Sequence, residues 1–316
     1  MDPFPTFPLQ EWNDTKQTLH RFEQIVGKTR LRHSPRRNHW WNVPFHLTGT
    51  GITSRPMGSL NEDSVFTVDF DFVRHRLVAS NLRGDVVSFP LQGHSVSSFH
   101  LRFQSAMEAL GVDGAIVRAS PFDLPDAGRP FVDDHEHATY VPEHATKYWR
   151  ILSRINLLLE EFAAGFSGKT SPVHHFWHTF DIALTRFSQR PVHQPKEAGG
   201  VVREAYSREV VSFGFWFGDD EVPEPCFYAY AAPEPEGLIE EPLNPASARW
   251  ASSGSGHLAL LRYADARERP DPYAAVLEFW ESAYQAGANR LGWDIEALAC
   301  PGGITDPHLA GRRLRA

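Results

Sequence analysis

The stretch GKTSPVHHFWHTFDIALTRFS, residues 168–188, decides how the rest of the chain is interpreted, because a rough copy of it occurs upstream. The copy, GKTRLRHSPRRNHWWNVPFHLTGTGIT, covers residues 27–53 and carries six additional residues before its matching histidine. The two stretches align without a gap once His39 is set against His174. A repeated order of matching residues indicates an internal duplication.

Each half of the chain also closes with a predicted helix that runs into a similar tetrapeptide, LGVD at 110–113 and LGWD at 291–294. Strands that follow one another without crossover helices indicate antiparallel pairing. The sequence therefore predicts an α+β fold of two similar helix–four-strand antiparallel sheet–helix halves related by a pseudo-twofold axis. We expect the halves to be residues 1–130 and 131–300, followed by a flexible tail at 301–316.

Apolar periodicity assigns the individual elements. Helices are predicted at 11–26, 95–110, 143–166 and 271–290, and strands at 39–53, 65–72, 76–80, 85–89, 115–118, 174–188, 209–217, 226–232 and 257–263. Gly27 is interpreted as a helix stop, Ser95 as a helix cap and Pro272 as part of a first helical turn. Residues 189–200 and 233–256 are predicted to be irregular.

The composition is that of a globular protein with a sizeable core, since 41% of its 316 residues are hydrophobic and 22% are charged. No apolar run approaches the ~18 residues that suggest a membrane span. The first residues lack the layout of a signal peptide. Two cysteines, Cys226 and Cys300, cannot form a disulfide framework, so the sequence predicts a cytoplasmic protein.

Charge argues against nucleic acid as a partner, because the formal net charge is −8. The basic run KTRLRHSPRR at 28–37 is a local exception. It is interpreted as a solvated loop. A nucleic-acid binder that uses Arg30–Arg37 is kept as a weaker third alternative.

The paired histidines are the candidate catalytic groups. On a strand, alternate residues share a face, so His39 would lie with Trp41, and His174 with Phe176 and His178. Imidazoles titrate near neutral pH, and a pair in a partly dry pocket could move protons or hold a metal ion. We expect His39 and His174 to do acid–base work or to bind a divalent transition metal.

Carboxylates and aromatic residues complete the predicted site. Glu209 or Asp181 is expected to orient the histidines. Aromatic walls with a few polar groups are typical of small-molecule pockets. Arg186 could pair with an anionic substrate group, since its planar guanidinium suits carboxylate or phosphate. The residues expected to line a pocket between the two halves are Trp41, Phe176, Trp177, Tyr206 and Tyr228.

Other motifs are set aside by their spacing. Gly-Lys-Thr at 27–29 and 168–170 lacks the upstream glycine of a phosphate-binding loop. HHFWH at 174–178 resembles zinc-protease spacing but has histidine in place of glutamate. On a strand, its outer histidines would lie ~13 Å apart, too far to share one ion. DDHEH at 133–137 is interpreted as a solvent-exposed loop.

Five motifs carry a resemblance that covers nearly the whole chain before its tail. They are NHWW (38–41), SPVHxFW (171–177), FDxAxTRFS (180–188), EAYSxE (204–209) and FYAY (227–230). Together they resemble a bacterial protein family that is catalogued only as a domain of unknown function. The resemblance implies a bacterial cytoplasmic protein of about this length and no particular activity. His175 and His178 depart from the family pattern, so a metal site built on these two is not implied.

Two functional interpretations follow. The first is an enzyme that acts on a small organic molecule through a histidine and carboxylate site in an aromatic pocket. The second is a noncatalytic protein that binds a small ligand or a partner and has structural histidines. Sequence alone does not decide between them.

Overall fold

The computed structural model describes residues 4–59, 64–112, 119–254, 256–306 and 308–309. Within these ranges the chain is an α+β protein with two antiparallel sheets, which confirms the predicted class at that level. No helix in these ranges combines the length and the apolar character that crossing a membrane requires. The predicted strand at 115–118 lies outside the described residues.

The described residues form seven α-helices and twelve strands. The helices are α1 (Leu9–His33), α2 (Val96–Ala109), α3 (Pro142–Ala164), α4 (Gly200–Ala205), α5 (Tyr263–Arg267), α6 (Pro272–Arg290) and α7 (Ile295–Leu298). The strands are β1 (His46–Leu47), β2 (Gly51–Thr53), β3 (Phe66–Asp71), β4 (Arg76–Asn81), β5 (Val86–Pro90), β6 (Lys169–Thr170), β7 (His174–Phe176), β8 (Asp181–Pro191), β9 (Arg208–Trp216), β10 (Cys226–Ala232), β11 (Arg249–Ser253) and β12 (Gly256–Arg262).

The chain divides into two compact units, which we call unit A and unit B. Unit A comprises Phe7–Ser153 and His174–Asp181. Unit B comprises Met1–Thr6, Arg154–Val173 and Ile182–Ala316. The predicted halves rest on a proposed duplication of the sequence. The division into units A and B reflects which residues pack together and does not test whether the sequence is duplicated. The two predicted halves therefore stay a prediction.

Unit A is built on a meander of five antiparallel strands in the order β1-β2-β3-β4-β5. Its core is aromatic. Phe99 of α2 stacks on Phe22 of α1, with the ring centroids 3.9 Å apart. The Phe99 ring also lies 6.4 Å from that of Phe70 in β3 and 5.6 Å from that of Phe89 in β5. Helices α1 and α2 therefore share one core with the sheet.

Unit B contains antiparallel strands in the order β11-β12-β10-β9-β8-β6. Phe162, near the end of α3, contacts Phe213 of β9, with ring centroids 4.8 Å apart. Trp280 of α6 packs against both Phe162 and Phe227 of β10, each at 5.8 Å. These aromatic contacts hold α3 and α6 against the sheet.

The helix caps agree with expectation, because the residues before α2 and α6 are polar and can accept backbone hydrogen bonds. Ser95 accepts a hydrogen bond from the backbone of Ser98. Asp271 accepts two from the first turn of α6, and Pro272 is the first residue of that helix.

The predicted strand at 39–53 is wrong at its start. Asn38–Trp40 form a 3-10 turn in which His39 has φ 56° and Trp40 has φ 61°. Backbone in the left-handed region cannot continue a strand. Extended pairing begins only at β1, so His39 does not head a strand as expected.

The predicted strand at 174–188 is interrupted. Strand β7 ends at Phe176, and a turn follows in which Phe180 has φ 59° and donates its N–H to the Phe176 carbonyl at 2.7 Å. The alternation that would place His174 and His178 on one face is therefore lost.

Three element boundaries also differ from prediction. Helix α1 continues past Gly27 to His33. Strand β8 extends to Pro191, whereas the sequence predicted an irregular segment from residue 189 onward. Strand β11 lies within residues expected to be irregular, since pairing with β12 organises a segment whose own sequence signals turns.

Candidate functional site

One face of α1 carries buried polar side chains instead of the apolar stripe that a packed helix normally presents. The stripe consists of Lys16, His20, Glu23 and Arg30, with Gly27 on the same face between the last two, and its positions are spaced three or four residues apart. Glu23 is 0% exposed, and both Lys16 and Arg30 are at most 7% exposed. Burying an unpaired charge is costly, so partners must account for this face.

The segment His174–Asp181 of unit A lies on this stripe. A Cβ atom at residue 27 would lie 2.2 Å from the Trp177 indole, so only glycine allows this close packing. The Trp177 indole N–H donates to the Val43 carbonyl at 2.9 Å. His20 Nε2 lies 3.2 Å from the carbonyl oxygen of His178. Gly27, predicted as a helix stop, instead makes room for Trp177.

At the centre of the stripe, Glu23 is bonded to a histidine and a tyrosine. One Glu23 carboxylate oxygen, Oε2, lies 2.6 Å from His175 Nε2. The other, Oε1, accepts a hydrogen bond from the Tyr148 hydroxyl at 3.1 Å. Glu23 and His175 have no exposed side-chain surface, and Tyr148 is also 0% exposed.

The hydrogen-bond partners of His175 locate a proton in this group. His175 Nδ1 lies 2.9 Å from the backbone carbonyl of Asp181, which can only accept a hydrogen bond. Nδ1 must therefore carry a proton. Nε2 lies 2.6 Å from the Glu23 carboxylate and 3.1 Å from the Tyr148 hydroxyl, and its shorter contact places a second proton between His175 and Glu23. The geometry corresponds to an imidazolium–carboxylate pair.

Electrostatics favour the same protonation state. Burial opposes the charged imidazole, but the charge and hydrogen bonding of Glu23 and Asp181 together outweigh it and raise the pKa of His175 above its ordinary value of 6.5. Burial, followed by the Glu23 charge, raises the pKa of Tyr148 well above 10.0. The Tyr148 phenol therefore stays protonated and donates to Glu23.

Neighbouring polar residues brace this group. Gln24 exchanges two hydrogen bonds with the backbone of Phe122, at 2.6 and 3.0 Å. Its amide nitrogen also lies 3.1 Å from His20 Nε2. Burial and the Lys16 charge lower the pKa of His20 well below 6.5, so His20 is neutral at physiological pH.

His174 lies on the opposite side of β7 from His175. Phe45 and His175 exchange two backbone hydrogen bonds, at 2.8 and 2.9 Å, as an antiparallel pair. This pairing sets His46 beside His174, and their rings lie 6.2 Å apart. The histidine that the register places beside His174 is thus His46, and the expected pairing of His174 with His39 stays a prediction.

His39 and Trp41 lie in the 3-10 turn and just after it. Their ring centroids are 5.3 Å apart. The guanidinium of Arg37 lies over the Trp41 ring at 5.5 Å. The assignment of His39 to catalysis or metal binding, and of Trp41 to substrate, stays a prediction.

The other predicted residues of unit A are Asp181, Phe176 and Trp177. Asp181 accepts a hydrogen bond from Thr179 at 2.5 Å, and it is its backbone carbonyl that holds His175. The Phe176 ring packs edge-on against His174 at 4.6 Å. The Asp181 backbone carbonyl therefore orients His175, and the expected role of Asp181 toward His39 and His174 stays a prediction.

Glu209 and Arg186 belong to unit B. The Glu209 carboxylate accepts from Ser188 at 2.9 Å and from the Trp293 indole at 3.0 Å, and it pairs with Arg190 at 3.0 Å. Through these contacts Glu209, on β9, connects that strand to β8 and to the segment after α6.

Arg186 is enclosed by aromatic rings and is 2% exposed. Its guanidinium lies 3.9 Å from the ring centroid of Phe162 and 4.4 Å from that of Tyr284. It also donates to the Phe162 carbonyl at 2.7 Å. Burial lowers the pKa of Arg186 to about 10, so it keeps its charge at neutral pH. These contacts are those of a packed cation–π cluster. Pairing with a substrate anion stays a prediction.

Tyr206 and Tyr228, also in unit B, lie near Tyr230. The hydroxyls of Tyr206 and Tyr230 are 3.1 Å apart. The rings of Tyr228 and Tyr230 are stacked with centroids 6.2 Å apart. Gly214 on β9 admits the Tyr228 ring, because a Cβ there would lie 2.4 Å from the phenol. Their expected role in substrate binding is untested.

Among the residues that the structure describes, one group of side chains has the donor types of a metal site, namely Asp126, Asp134 and His137. Asp134 is 1% exposed, so the expectation that 133–137 is wholly solvent-exposed is wrong for this residue. However, Arg21 lies 2.6 Å from Asp126 and 3.6 Å from Asp134. His137 also pairs with Asp134 at 2.8 Å. The Arg21 guanidinium already compensates the charges of Asp126 and Asp134. This arrangement fits a salt-bridge network better than a metal centre.

Sequence reasoning missed Glu23 and Tyr148 and discounted His175. Glu23 and His175 are 152 residues apart in sequence, and no local pattern pairs them. One signal was available, because Lys16, Glu23 and Arg30 recur every seven residues along α1. Charged residues at that spacing lie on one face of a helix. Comparing this face with the apolar face of the same helix could have drawn attention to Glu23.

Comparison with known proteins gives one family. A family model described as a family of unknown function, DUF5996, matches residues 4–300. No curated protein and no solved structure shows significant similarity to the chain. Since the match spans nearly the whole chain, this protein belongs to the DUF5996 family.

Proposed function

We propose that the protein is an enzyme that acts on a small organic molecule, with His175, Glu23 and Tyr148 as its proton-transfer centre. One observation carries the proposal. A proton is held between His175 and Glu23 inside a fully buried group, where both His175 nitrogens face acceptors. Such pairs with shifted pKa values cluster at functional sites.

A contribution to folding stability is a weak explanation for a buried His175–Glu23 ion pair. Replacing a buried ion pair with apolar residues of similar volume is often neutral or stabilising. The raised pKa of His175 instead suits the role of a general acid. In this role His175 donates the proton, Glu23 stabilises the imidazolium, and the Asp181 carbonyl fixes the ring.

A substrate must reach His175, and the turn after β7 is the segment that covers it. Phe180 in this turn has φ 59°, a strained conformation for a non-glycine residue. Its ring lies 5.0 Å from that of Tyr148 and 5.6 Å from that of His175. We propose that movement of this turn admits the substrate.

The complete burial of the group favours the second candidate, a noncatalytic ligand-binding or partner-binding protein in which these residues are structural. The finer sequence predictions remain proposals beside both candidates: the duplication with its pseudo-twofold axis, the bound divalent transition metal and the cytoplasmic location. The two cysteines, both buried free thiols, are compatible with that location.

Turnover measurements separate the two candidates. Wild-type protein is incubated with a small-molecule extract, and the compounds consumed are identified by mass spectrometry. Glu23→Gln should abolish consumption, whereas Glu11→Gln, an exposed change on the same helix, should not. Folding of both variants is checked by circular dichroism. Equal consumption by wild type and a folded Glu23→Gln protein would remove the proposed catalytic role.

A further inference from the structure

The side of β7 that faces away from Glu23 carries a cluster of cationic and hydrogen-bonding groups. The cluster consists of Arg30, Ser34, His46, Arg55 and His174, all in unit A. Arg30 anchors it, because Arg30 is only 5% exposed and its Nε donates to the Pro44 carbonyl at 2.8 Å.

Chain geometry brings these residues together. Ser34 follows Arg30 by four residues at the end of α1, and its backbone N–H bonds to the Arg30 carbonyl at 2.9 Å. Pro44 and His46 flank Phe45, which pairs with His175, and the His46 ring is 6.2 Å from that of His174. The loop that carries Arg55 is tied to the end of α1 by the hydrogen bond from Gly58 N to His33 O at 2.8 Å.

Three donors or acceptors in this cluster are buried and unsatisfied. Among the residues that the structure describes, no hydrogen-bond partner lies within reach of Arg30 Nη1, Ser34 Oγ or His174 Nδ1. A buried polar atom without a partner is rare in native proteins and destabilises the fold. Three of them on adjoining elements indicate that a ligand completes their bonding.

The surrounding charge specifies the sign of that ligand. Burial, followed by the positive charge of Arg55, lowers the pKa of Arg30 to about 10. Burial, His46 and Arg55 lower the pKa of His174 well below 6.5. The largest charge effects on both residues are therefore cationic. The C-terminal dipole of α1 offsets only about half a charge, less than the two arginines bring.

We infer that this cluster binds a phosphate group of a small molecule. Arg30 and Ser34 at the end of α1 and His174 on β7 offer unsatisfied polar atoms from two elements, and a phosphate can meet both with its four oxygens. A phosphate carries up to two negative charges and can compensate both arginines. The exposed side chain of Arg55 would meet the anion first. This inference concerns binding alone and does not depend on the proposed catalysis.

The test is calorimetric titration of the whole protein with sodium phosphate, at constant ionic strength set by sodium chloride. We expect saturable binding of one phosphate. Arg30→Met should weaken it at least about tenfold, because a charge-assisted hydrogen bond is lost. Arg32→Met removes the same charge from an exposed position on the same helix and should bind phosphate as wild type does.

A second variant guards against misfolding of Arg30→Met. Arg55→Gln changes an exposed side chain and should weaken phosphate binding several-fold in a folded protein. Acetate tests the other anion class and should bind at least tenfold more weakly than phosphate. The inference is overturned if phosphate does not bind saturably, if Arg32→Met and Arg30→Met weaken binding equally, or if acetate binds as tightly.

Discussion

Replacement of Glu23 by glutamine is the change whose effect the structure defines best. It removes the charge that faces His175 at 2.6 Å while leaving the volume unchanged. An imidazolium next to a neutral amide would be a buried, unpaired charge. His175 must then give up its proton when the variant folds, so its pKa falls below that of the free side chain.

The pH dependence follows from the direction of the His175 shift. In the wild type its folded pKa lies above the unfolded value of 6.5. The pair therefore contributes its full stabilisation below pH 6.5 and loses it as the pH rises through the folded pKa. Glu23→Gln lacks this contribution. The stability difference between wild type and variant should be largest near the acid end and should shrink toward alkaline pH.

The expected magnitude comes from breaking a buried pair, which costs about 3–5 kcal/mol when one partner is removed. Glutamine keeps part of the hydrogen bonding, so we expect about 3 kcal/mol near pH 6 and a smaller loss near pH 9. Urea unfolding followed by circular dichroism between these pH values measures both.

Glu11→Gln is the matched control on the same helix. Glu11 is 47% exposed and lies 3.7 Å from Lys147, and such surface pairs contribute about 0–1 kcal/mol. Its effect should be small at every pH in the series. A Glu23→Gln protein that loses less than about 1 kcal/mol at pH 6, or the same amount at all pH values, would refute the ion pair.

Three further substitutions have defined outcomes in urea unfolding. Gly27→Ala should destabilise unit A by about 2–3 kcal/mol, because its Cβ would lie 2.2 Å from the Trp177 ring; an unchanged midpoint would contradict this packing. Tyr148→Phe should cost about 1–2 kcal/mol by removing the hydroxyl that donates to Glu23 Oε1, and no loss would mean that the phenol is dispensable. Arg186→Lys should cost about 1–2 kcal/mol, since an ammonium cannot stack within the aromatic cluster; a silent substitution would show that stacking contributes little.

The elements that sequence predicted well are those with strong local patterns. Helix α3 was expected at 143–166 and is found at Pro142–Ala164, because its apolar residues recur with helical spacing. Strand β10 was expected at 226–232 and is found at Cys226–Ala232. In both cases the local pattern and the tertiary environment favour the same conformation.

The repeat around His39 and His174 misled the prediction for a physical reason. The two segments match in sequence, yet the first forms a 3-10 turn with cation–π contacts such as Arg36 over Trp40 at 5.0 Å. The second forms β7, which is held by backbone pairing with Phe45. Side-chain similarity did not determine backbone conformation here, because different neighbours compete for each segment.

The candidate site was out of reach of local patterns. Its residues come from α1, α3 and β7, and only folding brings Glu23, Tyr148 and His175 together. Gly27 illustrates the difficulty. Glycine often ends a helix, but here it lies within one because an indole packs on it. The sequence pointed to the histidines near residue 174, and in the structure His175 is the one that pairs with Glu23.

The state of the His175 ring is measurable by nitrogen NMR on protein labelled at histidine, recorded from pH 5.5 to pH 9. An imidazolium paired with Glu23 predicts two protonated ring nitrogens at pH 7 and a titration midpoint above 6.5 that falls in Glu23→Gln. A ring that is neutral at pH 7, with a midpoint below 6.5 and no response to Glu23→Gln, would contradict the proton-sharing pair on which the proposed function rests.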